Sequence, residues 1–331
     1  MIRDMMPHFD LYQPDSLEAA LDLAARLGED GWLLGAGQDS YDWFKNRTKR
    51  PRAVIDLSGI ESLRGVRELD GGVEIGALTT LTTIEEHPRL RERFALLCQA
   101  AGRVASPQIR NAGTLGGNLC QDTRCWYYRY GVDCYRAGGI MCYADTPESQ
   151  NREHAIFGAS RCVAVSPSDT ATAITALEGS LVLRGADGER VVPASRFFVG
   201  PAADIRRMTD VRPGEILVAV RLPAKWAGAA FYFEKIADRA VWDFALSSIA
   251  AAFRLEGERI VEASLVCGAV ECVPRALTAV QSLLRGAPRN EDTANRAASL
   301  AAEGAEPLRY NAYKVTLVEN LVRRAIREAG R

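Results

Sequence analysis

The sequence predicts an α+β fold in two domains, and three observations predict it. The opening stretch alternates short apolar runs with an amphipathic helix. A block beginning near Gly228 reads as strands paired around tight turns, and the chain then ends in helices with a single apolar stripe. A length of 331 residues is enough for two cores.

The elements follow in order. Asp15, with Glu18 three residues on, reads as a capping box for a helix in "SLEAALDLAARLG", where Leu17, Ala20, Leu21, Ala24 and Leu27 share a face and Gly28 is placed to stop it. "GWLL" and "AVIDLS" read as strands on either side of the glycine-rich "GAGQDS". "GVEIGALTTLTTIEEH" reads as a strand leading into a helix. "LRERFALLCQAAGRVA" reads as one amphipathic helix holding Cys98 as a small core residue. Between Ser106 and Cys162 the periodicity disappears. It returns with a helix in "TATAITALEG", a hairpin turning at "ADGE" and the strand "PGEILVAVRLP". A boundary at Pro223 to Gly228 divides a first domain, 1–222, from a second, 228–331. In the second, "AFYFEKIAD", "FALSSIAAAFRLEGERI" and "EASLVCGAV" predict an antiparallel sheet with a turn at "EGER". "LTAVQSLLRG" and "YNAYKVTLVENLVRRAIREAG" predict closing helices, the last with Val318, Leu321, Val322 and Ala325 on one stripe.

Composition narrows the function. A net charge of −1, with no polybasic run, argues against nucleic acid and against an anionic membrane as partners. The start, "MIRDMMPHFDLYQPDS", lacks the apolar core of a leader, and no stretch approaches the roughly 20 apolar residues of a membrane span. A cytoplasmic location is the expectation. Thiols stay reduced there, and clustered cysteines hold metal more often than they form disulfides.

Two glycine loops stand out. "GAGQDS" follows a strand but fails the dinucleotide fingerprint: Ser40 occupies the third glycine position, and no helix separates the loop from Asp56. Glycines here would still let backbone N–H groups approach a phosphate, and "TLGGN" is a second loop of the same kind. With "IGALTTL", "SPQIRNAGTLGGN", "VSPSD", "PGEIL" and "FEK…FALSSIAAA", all in order from about Phe9 to Arg327, the chain resembles the FAD-binding subunits of the molybdenum hydroxylases, the xanthine dehydrogenase and carbon monoxide dehydrogenase group. The resemblance implies a two-lobed FAD-binding domain of the PCMH, or CO dehydrogenase flavoprotein, type, followed by a smaller α+β domain. It also implies that Leu33, Leu34, Gly35, Ala36, Gly37, Gln38, Asp39 and Ser40, with Thr114, Leu115, Gly116, Gly117 and Asn118, hold the FAD pyrophosphate. Asp169 would bind the flavin nucleotide and Leu217 would line the pocket. Lys235 would sit near the isoalloxazine, favouring its reduced anion. Gln38 departs from the threonine usual at its position.

The cysteines pose a separate question. Asn118 and Ser166 are separated by 47 residues, where the resembled family has a much shorter connection. The excess, treated as an insertion over 119–163, carries Cys120, Cys125, Cys134, Cys142 and Cys162, with four, eight, seven and nineteen residues in the gaps. Zinc, a disulfide and an iron–sulfur cube are the three readings the residues allow. Zinc sites favour close pairs, and only the first gap is that short. An iron–sulfur cube needs four thiolates at no fixed spacing. Trp126, Tyr127, Tyr128, Tyr130, Tyr135 and Tyr143 could shield one. "GGNLCQDTRCWYY" and "RCVAVSPSD" resemble, more narrowly, the flavoprotein subunits of the 4-hydroxybenzoyl-CoA reductase branch. That likeness implies a 4Fe–4S cluster on Cys125, Cys134, Cys142 and Cys162, with Cys120 spare and His154 a reserve ligand. Cys267 and Cys272 read as core residues.

The resemblance implies an oxidoreductase subunit without catalytic residues of its own. It would pass electrons between a ferredoxin-like donor, the 4Fe–4S cluster, FAD and the 2Fe–2S clusters of a small partner subunit. A large partner would carry molybdopterin and remove a phenolic hydroxyl from an aromatic thioester, the assembly being a dimer of heterotrimers. Two alternatives stand beside this: a family member that oxidises a heterocycle or an aldehyde, and a zinc-stapled scaffold without flavin.

Overall fold

The computed structural model describes residues 6–330. Met1–Met5, which begin the segment read for a leader, and Arg331 lie outside the described residues. The first lobe is a three-stranded parallel sheet, β1 (Asp10–Tyr12), β2 (Gly31–Leu34) and β3 (Ala53–Asp56), in the order β1-β3-β2. Helix α1 (Leu17–Leu27) crosses between its first two strands, turning Leu17, Ala20 and Ala24 inward. Its cap is Ser16, whose Oγ accepts from the Ala19 amide at 3.3 Å, and not the expected Asp15. Gly28, at φ +52°, ends the helix as anticipated. A short helix α2 (Ser40–Lys45) follows β2.

The second lobe is a five-stranded antiparallel sheet of β4 (Val66–Leu69), β5 (Gly72–Gly76), β6 (Ser180–Gly185), β7 (Gly188–Pro193) and β8 (Ile216–Leu222), ordered β4-β5-β8-β6-β7. Between β5 and β6 run α3 (Leu81–Glu86), α4 (Pro88–Arg93), α5 (Ala95–Gly102), α6 (Pro107–Ala112), α7 (Leu115–Leu119), α8 (Trp126–Arg129) and α9 (Asp169–Ala176), and α10 (Ala194–Phe197) follows β7. The single helix expected over "LRERFALLCQAAGRVA" is two, because Phe94 leaves the helical region at φ −136° to bury its ring between them. Cys98 is buried as expected and donates to the Ile84 carbonyl.

The last sheet is antiparallel: β9 (Ala230–Ile236), β10 (Ser247–Glu256), β11 (Arg259–Gly268) and β12 (Arg275–Ala276), ordered β12-β11-β10-β9. Its central strand explains the unbroken apolar run "IAAAF". Ala250 and Ala252 face α5 and α9 in the core of the second lobe, while Ile249, Ala251 and Phe253 face α11 (Thr278–Leu284), α12 (Glu291–Ala302) and α13 (Tyr313–Glu328). Helix α12 was missed because its inward stripe is mostly alanine. Asn290 caps it, accepting from the Thr293 amide at 3.0 Å.

Apart from α8 and one turn of 3₁₀ helix at Tyr135–Ala137, the segment 119–163 is irregular, yet it is well anchored. Lys314 on α13 is wholly buried and donates to the carbonyls of Glu153, His154 and Ala269 at 2.8–2.9 Å. Asn311 donates to His154 and Ala155. On its other side the segment packs against Trp43, Phe44 and Val54 of the first lobe. Among the described residues, no helix is long and apolar enough to cross a membrane.

Candidate functional site

Strand β2 delivers the chain into the first glycine loop. Gly37 has φ +76°, and a Cβ there would fall 2.3 Å from the Tyr41 ring, so only glycine fits without strain. At Gly35 a Cβ would come within 2.8 Å of Thr114 Oγ1, so the two loops abut. Thr114 caps α7, its hydroxyl accepting from the Gly117 amide at 3.1 Å. Together the loops line a cleft of about 720 Å³, within the usual size of a cofactor pocket.

Twelve of the residues expected at a cofactor line this cleft: Leu33, Gly35, Ala36, Gly37, Gln38, Asp39, Ser40, Thr114, Gly117, Asn118, Asp169 and Lys235. Four do not. Leu34 and Leu115 are buried behind the loops, and Gly116 packs on Ala77. Leu217 lies in β8 opposite Leu183 and faces the core, because strand alternation turns it away from the cleft.

Asp169 is the first residue of α9. It is buried and pairs with Lys235 of β9, Nζ to Oδ2 at 2.6 Å, while the same ammonium donates to the Arg103 carbonyl at 2.9 Å. Burial pushes the Asp169 carboxyl above its usual range, and Lys235 holds it back. The lone cation expected at Lys235 is therefore a neutralised pair. Asn118 Oδ1 accepts from Ser168 Oγ at 2.7 Å and from Thr170 Oγ1 at 2.5 Å, which ties the second loop to "SPSD" and leaves the amide nitrogen as its donor.

Sequence reading missed several residues of the cleft. Arg129 pairs with Asp39 at 2.9 Å and stacks 4.2 Å from the centre of Trp43. Lys49, Arg206, Arg207 and Phe244 also reach the cleft, and exposed Trp242 stands at its edge. Its five cations (Lys49, Arg129, Arg206, Arg207, Lys235) meet five carboxylates (Asp39, Asp42, Asp122, Asp169, Asp243). Affinity for an anion must therefore come from the backbone N–H groups of the loops.

A second feature lies in the cysteine-rich segment. Cys125, Cys134, Cys142 and Cys162 surround one small hollow with a cavity volume of about 10 Å³, lined also by Tyr127, Tyr128, Tyr135, Tyr143, Arg136 and Arg161. Cys125, Cys134 and Cys162 are buried and Cys142 is half-buried. Cys120 faces the cleft instead. Burial pushes the Cys125 thiol up to about 12 and raises Cys142, and each feels Cys162 as a neighbour. Backbone N–H groups of Tyr127 and Tyr128 point at Cys125, and those of Val163, Ala144 and Asp145 at Cys142. The buried Arg136 guanidinium has Nε and Nη1 without a hydrogen-bond partner, while its Nη2 lies 3.6 Å from the Sγ of Cys272, which is buried as expected. His154 Nε2 lies 3.3 Å from Cys125 Sγ, and burial first, then Lys314 and Arg124, lowers its pKa to about 4. Trp126 and Tyr130 stack on each other at the surface, outside the hollow. Among the described residues, no group of three or more His, Cys, Asp or Glu side chains is placed to hold a metal ion.

Two family models match the chain: the FAD-binding domain in molybdopterin dehydrogenase over residues 7–225, and the CO dehydrogenase flavoprotein C-terminal domain over 232–329. The chain belongs to the FAD-binding subunits of the molybdenum hydroxylases. It is 32% identical over 324 residues to the aldehyde oxidoreductase FAD-binding subunit PaoB of Escherichia coli strain K12, covering 96% of this chain and 97% of that one. It is 28% identical over 327 residues to the carbon monoxide dehydrogenase medium chain of Hydrogenophaga pseudoflava, covering 98% and 97%. A crystal structure of Cu,Mo-CO dehydrogenase superposes with a TM-score of 0.79 at 25% identity, covering 98% of this FAD-binding subunit and 99% of that chain. Quinoline 2-oxidoreductase from Pseudomonas putida 86 gives 0.77 at 25%, covering 98% of each. As a member of this family the chain is an FAD-binding oxidoreductase subunit.

Proposed function

We propose that this subunit relays electrons within a molybdenum enzyme that oxidises an aldehyde or a heterocycle, with FAD in the cleft between the glycine loops and a 4Fe–4S cluster on Cys125, Cys134, Cys142 and Cys162. The partners are a molybdopterin-binding large subunit and a small 2Fe–2S subunit, and the two domains divide at 1–222 and 228–331. The observation that carries the relay is the convergence of four thiols, distant in sequence, on a hollow adjoining the flavin cleft. The hollow's chemistry fits an anionic cluster: backbone N–H groups aimed at sulfur, tyrosines that limit water, and a buried guanidinium whose Nε has no hydrogen-bond partner.

When bound, FAD exchanges one or two electrons and the cluster one. The chain's own residues supply the setting. The loop amides would cradle the pyrophosphate and Asn118 would present its amide, while the Asp169–Lys235 pair closes the inner wall without adding net charge. The direction of chemistry is argued from the relatives. Carbon monoxide dehydrogenase, nicotinate dehydrogenase and nicotine 6-hydroxylase, whose flavin or medium subunits this chain resembles, are named for oxidations, which favours oxidation over the phenol-removing reduction suggested by the cysteine pattern. A ferredoxin-like protein would then be an acceptor and not a donor.

The test is anaerobic addition of aromatic aldehydes and N-heterocycles to the complex purified with its partners. Bleaching of the flavin and iron–sulfur bands by one of these is the expected result. Bands that respond only to a low-potential donor, and recover on adding 4-hydroxybenzoyl-CoA, would restore the reductive reading.

A further inference from the structure

The wall between the hollow and the cleft is made of few side chains, and they form one network. The Tyr128 ring lines the hollow, while its hydroxyl accepts from Lys49 Nζ at 2.7 Å on the cleft side. The same ammonium pairs with Asp122 at 3.0 Å. The other Asp122 oxygen lies 3.6 Å from Arg136 Nη1, and the Arg136 side chain is only 1% exposed, facing the hollow. Both cations stand over the Tyr128 ring, Lys49 Nζ at 5.2 Å and the Arg136 guanidinium carbon at 5.8 Å from its centre. Two cations and one carboxylate leave this wall with one net positive charge.

Such a charge has consequences where water is scarce, because the field of a buried charge is weakly screened. Burial works against the Lys49 charge, but Asp122 and the Tyr128 hydroxyl outweigh it and hold the ammonium protonated. The positive wall is therefore permanent. Every electron that enters either site without a proton adds one negative charge beside it.

We propose that the Lys49–Asp122–Arg136 bridge tunes the two redox sites together, with Arg136 acting as a positioning residue that raises the reduction potential of the cluster. The proposal rests on reading the four thiols as cluster ligands. Asp122 keeps the two cations from repelling each other across Tyr128, so one charged device serves both faces of the wall. Arg136 belongs to the cluster face, and Lys49 acts on the cluster more weakly, through Asp122.

The test uses the complete chain in its complex, carrying Arg136→Met, Arg136→Lys or Lys49→Met. The readouts are iron and acid-labile sulfide, then an EPR-monitored redox titration. Arg136→Met should load the cluster and lower its midpoint, a tenfold loss in the reduction equilibrium reading as about 59 mV for one electron. Arg136→Lys should restore most of that shift, because it keeps the charge. A loaded Arg136→Met protein with the wild-type midpoint overturns the proposal, as does an Arg136→Lys midpoint shifted as far as that of Arg136→Met. If Arg136→Met fails to load, Lys49→Met decides, since Lys49 is not itself part of the lining of the hollow: a lowered midpoint supports the bridge and an unmoved one overturns it. Wild-type protein without iron would sink the cluster reading and this proposal together, whereas a loaded protein with unmoved potentials sinks this proposal alone.

Discussion

Lys235→Met isolates the buried pair that joins the two domains at the cleft. The substitution keeps the length and apolar stem of the side chain but removes the ammonium that lies 2.6 Å from Asp169 Oδ2 and 2.9 Å from the Arg103 carbonyl. Both side chains of the pair are about 95% buried, with 4% and 5% exposed. Breaking a buried pair from one side costs about 3–5 kcal/mol, because the remaining charge stays desolvated. At about 2–4 °C per kcal/mol for a domain of this size, the melting temperature falls by on the order of 10 °C. The cost depends on pH with a definite sign. Without its partner the Asp169 carboxyl rises further above its unfolded value near 3.8, so the folded form binds the extra proton. The deficit is therefore largest near neutral pH and shrinks as pH falls toward the raised pKa. Adding Asp169→Leu removes the orphaned charge and should recover most of the loss. Thermal melts of the two variants across pH are the assay. A single variant melting with the wild type, or a double variant no more stable than the single, would refute the reasoning.

Other consequences follow from the same structure. Gly37→Ala forces a side chain into a φ of +76° and against Tyr41, at a cost of about 1–3 kcal/mol in the loop. The flavin-to-protein absorbance ratio should fall while the far-ultraviolet spectrum stays native. Asn118→Leu strands the hydroxyls of Ser168 and Thr170, and a melt should show about 2 kcal/mol of destabilisation. Lys314→Met orphans the carbonyls of Glu153 and Ala269 beside the cysteine-rich segment and leaves His154 O to Asn311 alone, a loss of about 2 kcal/mol. Limited proteolysis should cut between residues 143 and 162 faster in that variant.

The sheets were readable because their signals are local. The hairpin at "ADGE" and the turn at "EGER" carry their own glycines, and β10 announces its two buried faces as a continuous apolar run. Errors arose where tertiary packing overrode local preference. Phe94 breaks a periodic helix to bury its ring, and Ser16 takes the cap that Asp15 could have served. Leu217 matches the motif but alternation in β8 points it away from the cleft. The Asp169–Lys235 pair and the bridge from Lys49 through Asp122 to Arg136 join residues far apart in the chain, and no periodicity encodes such meetings. The thiols are the intermediate case. Their irregular spacing could not indicate a shape, because a segment without helix or strand has no period, yet folding brings Cys125, Cys134, Cys142 and Cys162 to one hollow and leaves Cys120 at another.

That division of the cysteines supplies the most direct measurement. Iron, acid-labile sulfide and FAD are quantified in the complex purified without oxygen, for the wild type, Cys134→Ser and Cys120→Ser, after subtracting the iron of the 2Fe–2S partner. The account predicts four irons attributable to this chain in the wild type and in Cys120→Ser, with those irons lost and FAD retained in Cys134→Ser. Iron that survives Cys134→Ser in full, or a flavin-loaded wild-type chain with none, would contradict it.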